Sequence, residues 1–254
     1  MEKLYDRADI YDLIESEERF GYIKKDWTMF LEDRNIKTVL DVSIGSGGMT
    51  IPLLDMGMDV TGSDLSEAML ERCKKKVKAR GKDIQLKCTD FRDLSCFGDK
   101  KFDMVVSTGN SLGYVGNEDV LKTLEEMDKH VKDGGYICFD SRNWEKIQKE
   151  TERFYFYNPF HHGENRVNLM QVWDHNQDGS ITFNLLYSFE KDEKIFQREI
   201  FEEHYNPFKL EPVTKHLEKL GYKYITVKQF PCYMPGDEFE KMDWYRLIAK
   251  KETI

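Results

Sequence analysis

Paired cysteines, a basic balance and a long apolar run are all missing from these 254 residues. Each absence removes a class of function. The five cysteines stand at 73, 88, 96, 138 and 232, an odd and scattered set with no C-x-x-C spacing. That argues against a disulfide framework or a zinc site and fits a reducing cytoplasm. No hydrophobic stretch approaches the roughly 20 residues that span a bilayer. The opening MEKLYDRADIYD is too charged for a secretory leader. The expected location is therefore the cytoplasm, without a membrane partner. Net charge is −9, whereas a protein that grips a phosphate backbone shows a basic face. The one basic run, Lys74 to Lys82, reads as a solvated helix face and its exit. Nucleic acid is not an expected partner.

What the chain has is a strand that runs into glycines. Thr38 to Val42 is short, β-branched and apolar, the composition of a buried strand. Gly45-Ser46-Gly47-Gly48 follows, then an apolar segment whose Pro52 suits only a first helical turn. A second strand, Met58 to Thr61, leads to Asp64. Strand, glycine loop, helix, strand and acid make a nucleotide-binding βαβ unit. Glycines let the backbone approach a ligand, and an acid in this place can accept hydrogen bonds from a ribose diol. The dinucleotide fingerprint fails at Thr50, where it wants Gly or Ala, and no lysine follows the glycines as a P-loop requires. A ligand-free glycine turn and an NAD-type Rossmann domain remain as rivals.

Alternating units continue. Ser66 to Arg80 reads as a helix, Ile84 to Cys88 as a third strand, and Phe102 to Ser107 as a fourth. Glu118 to His130 is a helix, Lys132 to Gly135 a turn, and Tyr136 to Asp140 a fifth strand. Around residue 150 the pattern becomes antiparallel: Arg153 to Tyr157, Arg166 to Trp173, Ser180 to Glu190 and Ile195 to Tyr205 alternate as strands do, with a hairpin turn at Asn176 to Gly179. Pro212 to Leu220 returns as helix, and Tyr222 to Phe230 and Trp244 to Ala249 close the sheet. The expected fold is α/β, a doubly wound, mostly parallel seven-stranded sheet with an antiparallel β insertion. Its expected parts are an N-terminal helical cap (1–35), a Rossmann-like domain (36–150 and 207–254) and a substrate-covering insertion (151–206). His161-His162 reads as solvent loop rather than metal site.

The spacing Asp41…Gly45-Ser46-Gly47 resembles motif I of the class I S-adenosylmethionine (SAM) methyltransferases, with Ser43 in place of that motif's first small residue. The resemblance implies SAM as cofactor and no metal. It implies Asp41, Gly45, Gly47, Asp64, Leu65, Asp90, Phe91 and Tyr11 as cofactor contacts, with Asp90 on the adenine amino group and Phe91 over the ring. Gly109-Asn110-Ser111 after the fourth strand, Asp140-Ser141-Arg142-Asn143 after the fifth and Tyr205-Asn206-Pro207 after the insertion are similar to segments of the glycine and sarcosine N-methyltransferases. By that resemblance Arg142 grips an amino acid carboxylate, Asn110 helps to place it, and Tyr11, Tyr187 and Tyr205 surround the methyl donor or the amine.

The chemistry makes compatible demands. Methyl transfer from a sulfonium to an amine moves a cation without creating one. Tyrosine rings and hydroxyls suit that cation better than a carboxylate that would neutralise it. A guanidinium matches a carboxylate in two-pronged fashion. The plainer alternatives are a salt bridge from Arg142 to Glu145 or Asp140, and tyrosines that merely pack under the insertion. The expected activity is SAM-dependent N-methylation of glycine, sarcosine or a similar small amino acid. A class I methyltransferase with another small substrate, or a SAM- or NAD-binding module without turnover, is the alternative.

Overall fold

The structure, a computed structural model, describes residues 4–236 and 238–253. Residues 1–3 of the expected cap and residue 254 at the end of the expected Rossmann-like domain lie outside the described residues. In chain order come α1 (Ala8–Tyr11), α2 (Glu17–Phe30), β1 (Thr38–Asp41), α3 (Ile51–Asp55), β2 (Asp59–Asp64), α4 (Glu67–Ala79), β3 (Gln85–Cys88), β4 (Phe102–Ser107), α5 (Asn117–Lys129), β5 (Val131–Arg142) and α6 (Trp144–Glu150). The second half holds β6 (Phe154–Phe156), β7 (Phe160–His162), β8 (Asn165–His175), β9 (Ile181–Lys191), β10 (Lys194–Tyr205), α7 (Leu210–Lys219), β11 (Tyr222–Gln229) and β12 (Trp244–Lys251).

Seven strands form the main sheet in the order β11-β12-β5-β4-β1-β2-β3. Strands β1 to β5 are parallel, and β12 runs antiparallel between β5 and β11. The expected α/β, mostly parallel, seven-stranded architecture is present. Alternation along the strands explains how it is covered. On β1, Val39 joins a cluster with α2, α3 and α4, while Leu40 joins one with α5, α7 and the second sheet. Burial on both faces is what a parallel sheet requires. The chain winds outward in one direction from β1 through β2 and β3, and in the other through β4 and β5. A crevice therefore opens where β1 and β4 meet, at the carboxyl ends of the strands.

The second sheet orders β10-β9-β8-β6, with β7 paired to β8. Along β9, Ile181, Phe183, Leu185, Tyr187 and Phe189 are buried while Asn184, Leu186, Ser188 and Glu190 are less so. One face thus rests on the core. His161 and His162, expected in a loop, pair in β7 with Arg166 and Asn165. The expected turn at Lys132 to Gly135 is instead absorbed into β5. Gly134 takes a left-handed φ of 70°, and the pairing slips between Phe102 and Met104, so the turn residues become an irregularity inside a longer strand. Helix α6 was not anticipated; Asn143 caps it by accepting from Lys146 N at 3.2 Å, and it buries Trp144 and Ile147.

Candidate active site

A cavity of about 660 Å³ lies over the carboxyl ends of β1 to β4. Its floor is the loop after β1. Gly45 faces the cavity with φ of 54°, and its N–H donates to Asp64 Oδ2 at 2.8 Å. The other oxygen of Asp64 accepts Ser66 N at 2.9 Å, and burial raises its pKa. Each carboxylate oxygen keeps a lone pair for a ligand hydroxyl. Beneath the loop, Asp41 is fully buried and accepts from Ser43 N (3.0 Å), Thr108 Oγ1 (2.8 Å) and Thr50 Oγ1. Those bonds favour the carboxylate, yet desolvation outweighs them and pushes the pKa up to about 6. Gly47 turns inward: a Cβ there would come within 2.7 Å of Ile51 Cδ1 and 2.9 Å of Cys73 Sγ. It lets the loop pack on its helices.

One wall holds Leu65, Asp90, Phe91 and Arg92. Leu65 is 64% exposed, an apolar side chain lying open at the cavity edge. Asp90 is gripped by Arg92, whose Nη2 donates to Oδ2 at 2.6 Å and whose Nη1 reaches Asp119 at 2.8 Å; the Arg92 bonds hold the Asp90 pKa down. The opposite wall is the N-terminal segment, with Tyr5, Tyr11, Glu15 and Arg19. Asp12 fastens it to α4 through Arg72 (2.6 Å) and Lys76 (3.1 Å), and Glu15 adds a bond to Lys76 at 2.5 Å. Glu15 lies so close over the loop that a Cβ at Gly48 would come to 2.3 Å from its Oε1.

Behind this cavity is an aromatic compartment. Tyr114 lines the cavity, and its hydroxyl lies 2.6 Å from that of Tyr205. Tyr205 packs on Trp144 (5.3 Å) and Phe183 (4.6 Å). The Arg142 guanidinium sits 5.0 Å from the Trp173 ring, 5.3 Å from Phe183 and 4.8 Å from Trp244. The two carboxylates proposed to neutralise it are engaged elsewhere: Asp140 accepts from Gly109 N, Asn110 N and Trp244 Nε1, and Glu145 from Leu210 N. Arg142 has no ion pair among the described residues. Asn110 is buried in the left-handed region (φ 63°). Its Oδ1 accepts Arg142 N at 2.9 Å and Ser141 Oγ at 3.1 Å, and its Nδ2 has no partner among the described residues.

The family profile described as a methyltransferase domain matches residues 39–135. The glycine/sarcosine N-methyltransferase of Aphanothece halophytica is 26% identical over 226 residues, covering 87% of this chain and 79% of that protein. Its counterpart in Parasynechococcus marenigrum is 28% identical over 227 residues, covering 87% of this chain and 74% of that protein. A SAM-dependent methyltransferase of Clostridium acetobutylicum has the same fold, with a TM-score of 0.76 at 18% identity over 97% of this chain and 98% of that one. The matched domain, these relatives and the shared fold together support a class I SAM-dependent methyltransferase.

The methyltransferase fold gathers most of the residues singled out in the sequence. Gly45, Asp64, Leu65, Asp90, Phe91 and Tyr11 all line the cavity. Asp41 and Gly47 do not; they shape the loop from below. Arg142, Asn110 and Tyr205 form the compartment behind it. Tyr187 stands apart: it pairs with Glu199 while Tyr205 pairs with Ile181, six rungs away or roughly 20 Å along the sheet. Its ring neighbour is Phe201. Residues that sequence reasoning missed are Tyr114, Arg19, Glu15, Arg92 and the Trp173, Phe183 and Trp244 rings. Tyr114 was within reach, four positions after Asn110 in the same turn. The two tryptophans and Phe183 were not, because an inward aromatic on an alternating strand reads as core.

SAM fits these residues. Gly45 needs the left-handed backbone that brings its N–H to Asp64, the Asp64 carboxylate retains acceptor capacity, and apolar Leu65 and Phe91 are set for a flat ring.

Proposed function

We propose that this methyltransferase transfers a methyl group to the amine of glycine, sarcosine or a similar small amino acid. The observation that carries the reading is Arg142, a guanidinium with no carboxylate partner among the described residues, walled by three aromatic rings, whose backbone N–H is held by Asn110, an amide with its own Nδ2 unpartnered among those residues. A free fork and an amide donor together suit one substrate carboxylate. The resemblance to glycine/sarcosine N-methyltransferases supports the same substrate class.

Bound SAM supplies an electrophilic methyl on a sulfonium. The chain's own residues hold and align the amine. Arg142 and Asn110 fix the carboxylate end of the substrate, which leaves the amino group, one carbon away, beside the Tyr114–Tyr205 hydroxyls that border the cofactor cavity. Burial pushes the Tyr205 phenol up to about 12, so it stays protonated at neutral pH and acts as a hydrogen-bonding group rather than a base. Aromatic walls keep water away and tolerate the ammonium that forms. Holding the reactants in line supplies several kcal/mol of the barrier reduction.

The test is a substrate panel read by S-adenosylhomocysteine release. Glycine and sarcosine are the expected substrates, with glycine ethyl ester and ethanolamine poorer by roughly 100-fold or more, because each leaves the Arg142 and Asn110 donors unpaired. Equal turnover of either amine that lacks a free carboxylate would discard the carboxylate reading.

A further inference from the structure

The inner face of the second sheet rests on the core, but among the described residues no element packs over the apolar row on its outer face. Across that face Phe156 pairs with Met170, Met170 with Leu186, and Leu186 with Ile200. One register row of apolar side chains therefore crosses all four strands. Two residues along, Phe154 and Val172 extend it. Phe154, Phe156 and Ile200 are 58%, 78% and 51% exposed, and Met170, Val172 and Leu186 belong to neither core cluster. Such a patch is unusual on a surface that meets only water.

The charges around the row have a symmetry of their own. Arg198 stands two residues before Ile200 on β10 and Glu202 two residues after, so strand alternation puts all three on one face. Neither charge forms an ion pair among the described residues, and Glu202, at the edge of the sheet, also borders the cavity over the carboxyl ends of β1 to β4. On β8, Arg166 and Asp174 stand four residues either side of Met170 in the same sense, Arg166 already 3.8 Å from Glu190 and Asp174 already paired with Arg153.

We infer that this face is the interface of a homodimer, in which a second copy of this chain packs sheet on sheet about a two-fold axis along the Phe156–Ile200 row. Rotation about that axis leaves each row residue over its own copy and reverses the strand direction. Arg198 of each copy then lies over Glu202 of the other, and Arg166 over Asp174. An axis parallel to the strands would instead carry Ile200 toward Phe156 and leave Arg198 unmatched. Stacked sheets lie roughly 10 Å apart, a gap that an arginine and a glutamate span together. Four strands about 4.8 Å apart and nine residues of about 3.4 Å each give a face of roughly 600 Å² in plan. Side-chain relief brings that toward the roughly 800 Å² that each partner of a stable complex buries. Isologous contacts of this kind need one self-complementary patch, and this face is one.

Sedimentation velocity on the full chain tests it. The wild type should sediment as a dimer, twice 30.1 kDa, at micromolar concentration. Ile200→Glu and Leu186→Glu should be folded monomers that melt cooperatively, with a Tm that, unlike the wild type's, does not rise with protein concentration, since both side chains lie outside the core clusters. Arg198→Glu should weaken dimerisation by about tenfold or more by setting glutamate against glutamate, and the double variant Arg198→Glu, Glu202→Arg should restore it. A monomeric wild type, a dimer indifferent to Ile200→Glu, or a double variant no tighter than Arg198→Glu alone each overturns the proposal.

Discussion

The side-chain oxygen of Asn110 accepts the backbone N–H of Arg142 at 2.9 Å, which ties the turn after β4 to the end of β5. Because a backbone N–H only donates, the bond fixes which end of the amide faces the strand. The NH₂ end is left buried and without a partner among the described residues. A donor buried that way costs about 1–3 kcal/mol until something accepts from it. The two residues expected to hold a substrate carboxylate thus also hold each other.

Replacing Asn110 should therefore damage binding and fold together. Asn110→Ala leaves Arg142 N unpaired and puts an alanine into the left-handed region at φ 63°. Strain of about 1–2 kcal/mol and a lost buried acceptor, offset in part by removal of the unpaired NH₂, should lower unfolding stability by roughly 1–2 kcal/mol. Asn110→Gly removes the strain but not the lost bond. It should recover part of the stability while the amino acid KM stays raised. Urea unfolding and steady-state kinetics on both variants check this; equal recovery of KM in the glycine variant would assign Asn110 a purely conformational role.

Asp41 should give stability a dependence on pH with a definite sign. Its folded pKa is about 6, above the ordinary 3.8. Between those values the folded chain holds the proton more tightly than the unfolded chain, so stability falls as pH rises through the window. The loss is complete above about pH 6 and amounts to roughly 3 kcal/mol at 1.36 kcal/mol per unit. Asp41→Asn cannot titrate. The stability difference, wild type minus variant, should decline by about that amount from pH 4 to pH 7. A difference that does not move with pH would mean that Asp41 titrates as an exposed carboxylate does.

How much of this was legible depends on whether the signal was local. The βαβ unit was, because Asp41, the glycines and Asp64 fall within one stretch and strand alternation names their faces. The Gly109-Asn110-Ser111 turn after the fourth strand was legible too; its left-handed Asn110 and the cap at Asn143 have local signatures but were not part of the expectation. What sequence could not yield is convergence. Trp173, Phe183 and Trp244 come from β8, β9 and β12 and meet around Arg142 only when the two sheets are packed. Glu15 likewise reaches the glycine loop through the fastening of α4 by Asp12. Tyr187 shows the opposite error. Its composition matched the expectation, and register puts it six rungs from Tyr205.

The Tyr114–Tyr205 pair should behave as one unit. Their hydroxyls share a hydrogen bond of 2.6 Å inside a buried aromatic cluster. Tyr114→Phe and Tyr205→Phe should each keep the fold and lower kcat, and the double variant should be little worse than either. A coupling of about 1 kcal/mol is expected from one shared bond. Strictly additive losses would separate the two hydroxyls.

The proposed substrate class rests on Arg142. Among the described residues its guanidinium neighbours three rings and pairs with no acid, so the charge is not needed to satisfy one of them. Arg142→Ala should leave SAM affinity nearly intact, because the side chain does not line the cofactor cavity. The KM for glycine or sarcosine should rise by roughly 10- to 100-fold, the worth of a charge-assisted bond at about 1.5–3 kcal/mol. Arg142→Lys should rescue only part of that, since an ammonium keeps the charge but loses the planar fork and its stacking on the rings. Selectivity is the sharper readout: the wild type should prefer glycine to its ethyl ester strongly, and Arg142→Ala should prefer it little. An arginine that only supports the fold would act differently, with Tm falling and the SAM Kd and amino acid KM worsening in step. If Arg142→Ala folds, binds SAM and still prefers glycine to the ester as the wild type does, the carboxylate is held elsewhere, and the amino acid reading loses the residue that carries it.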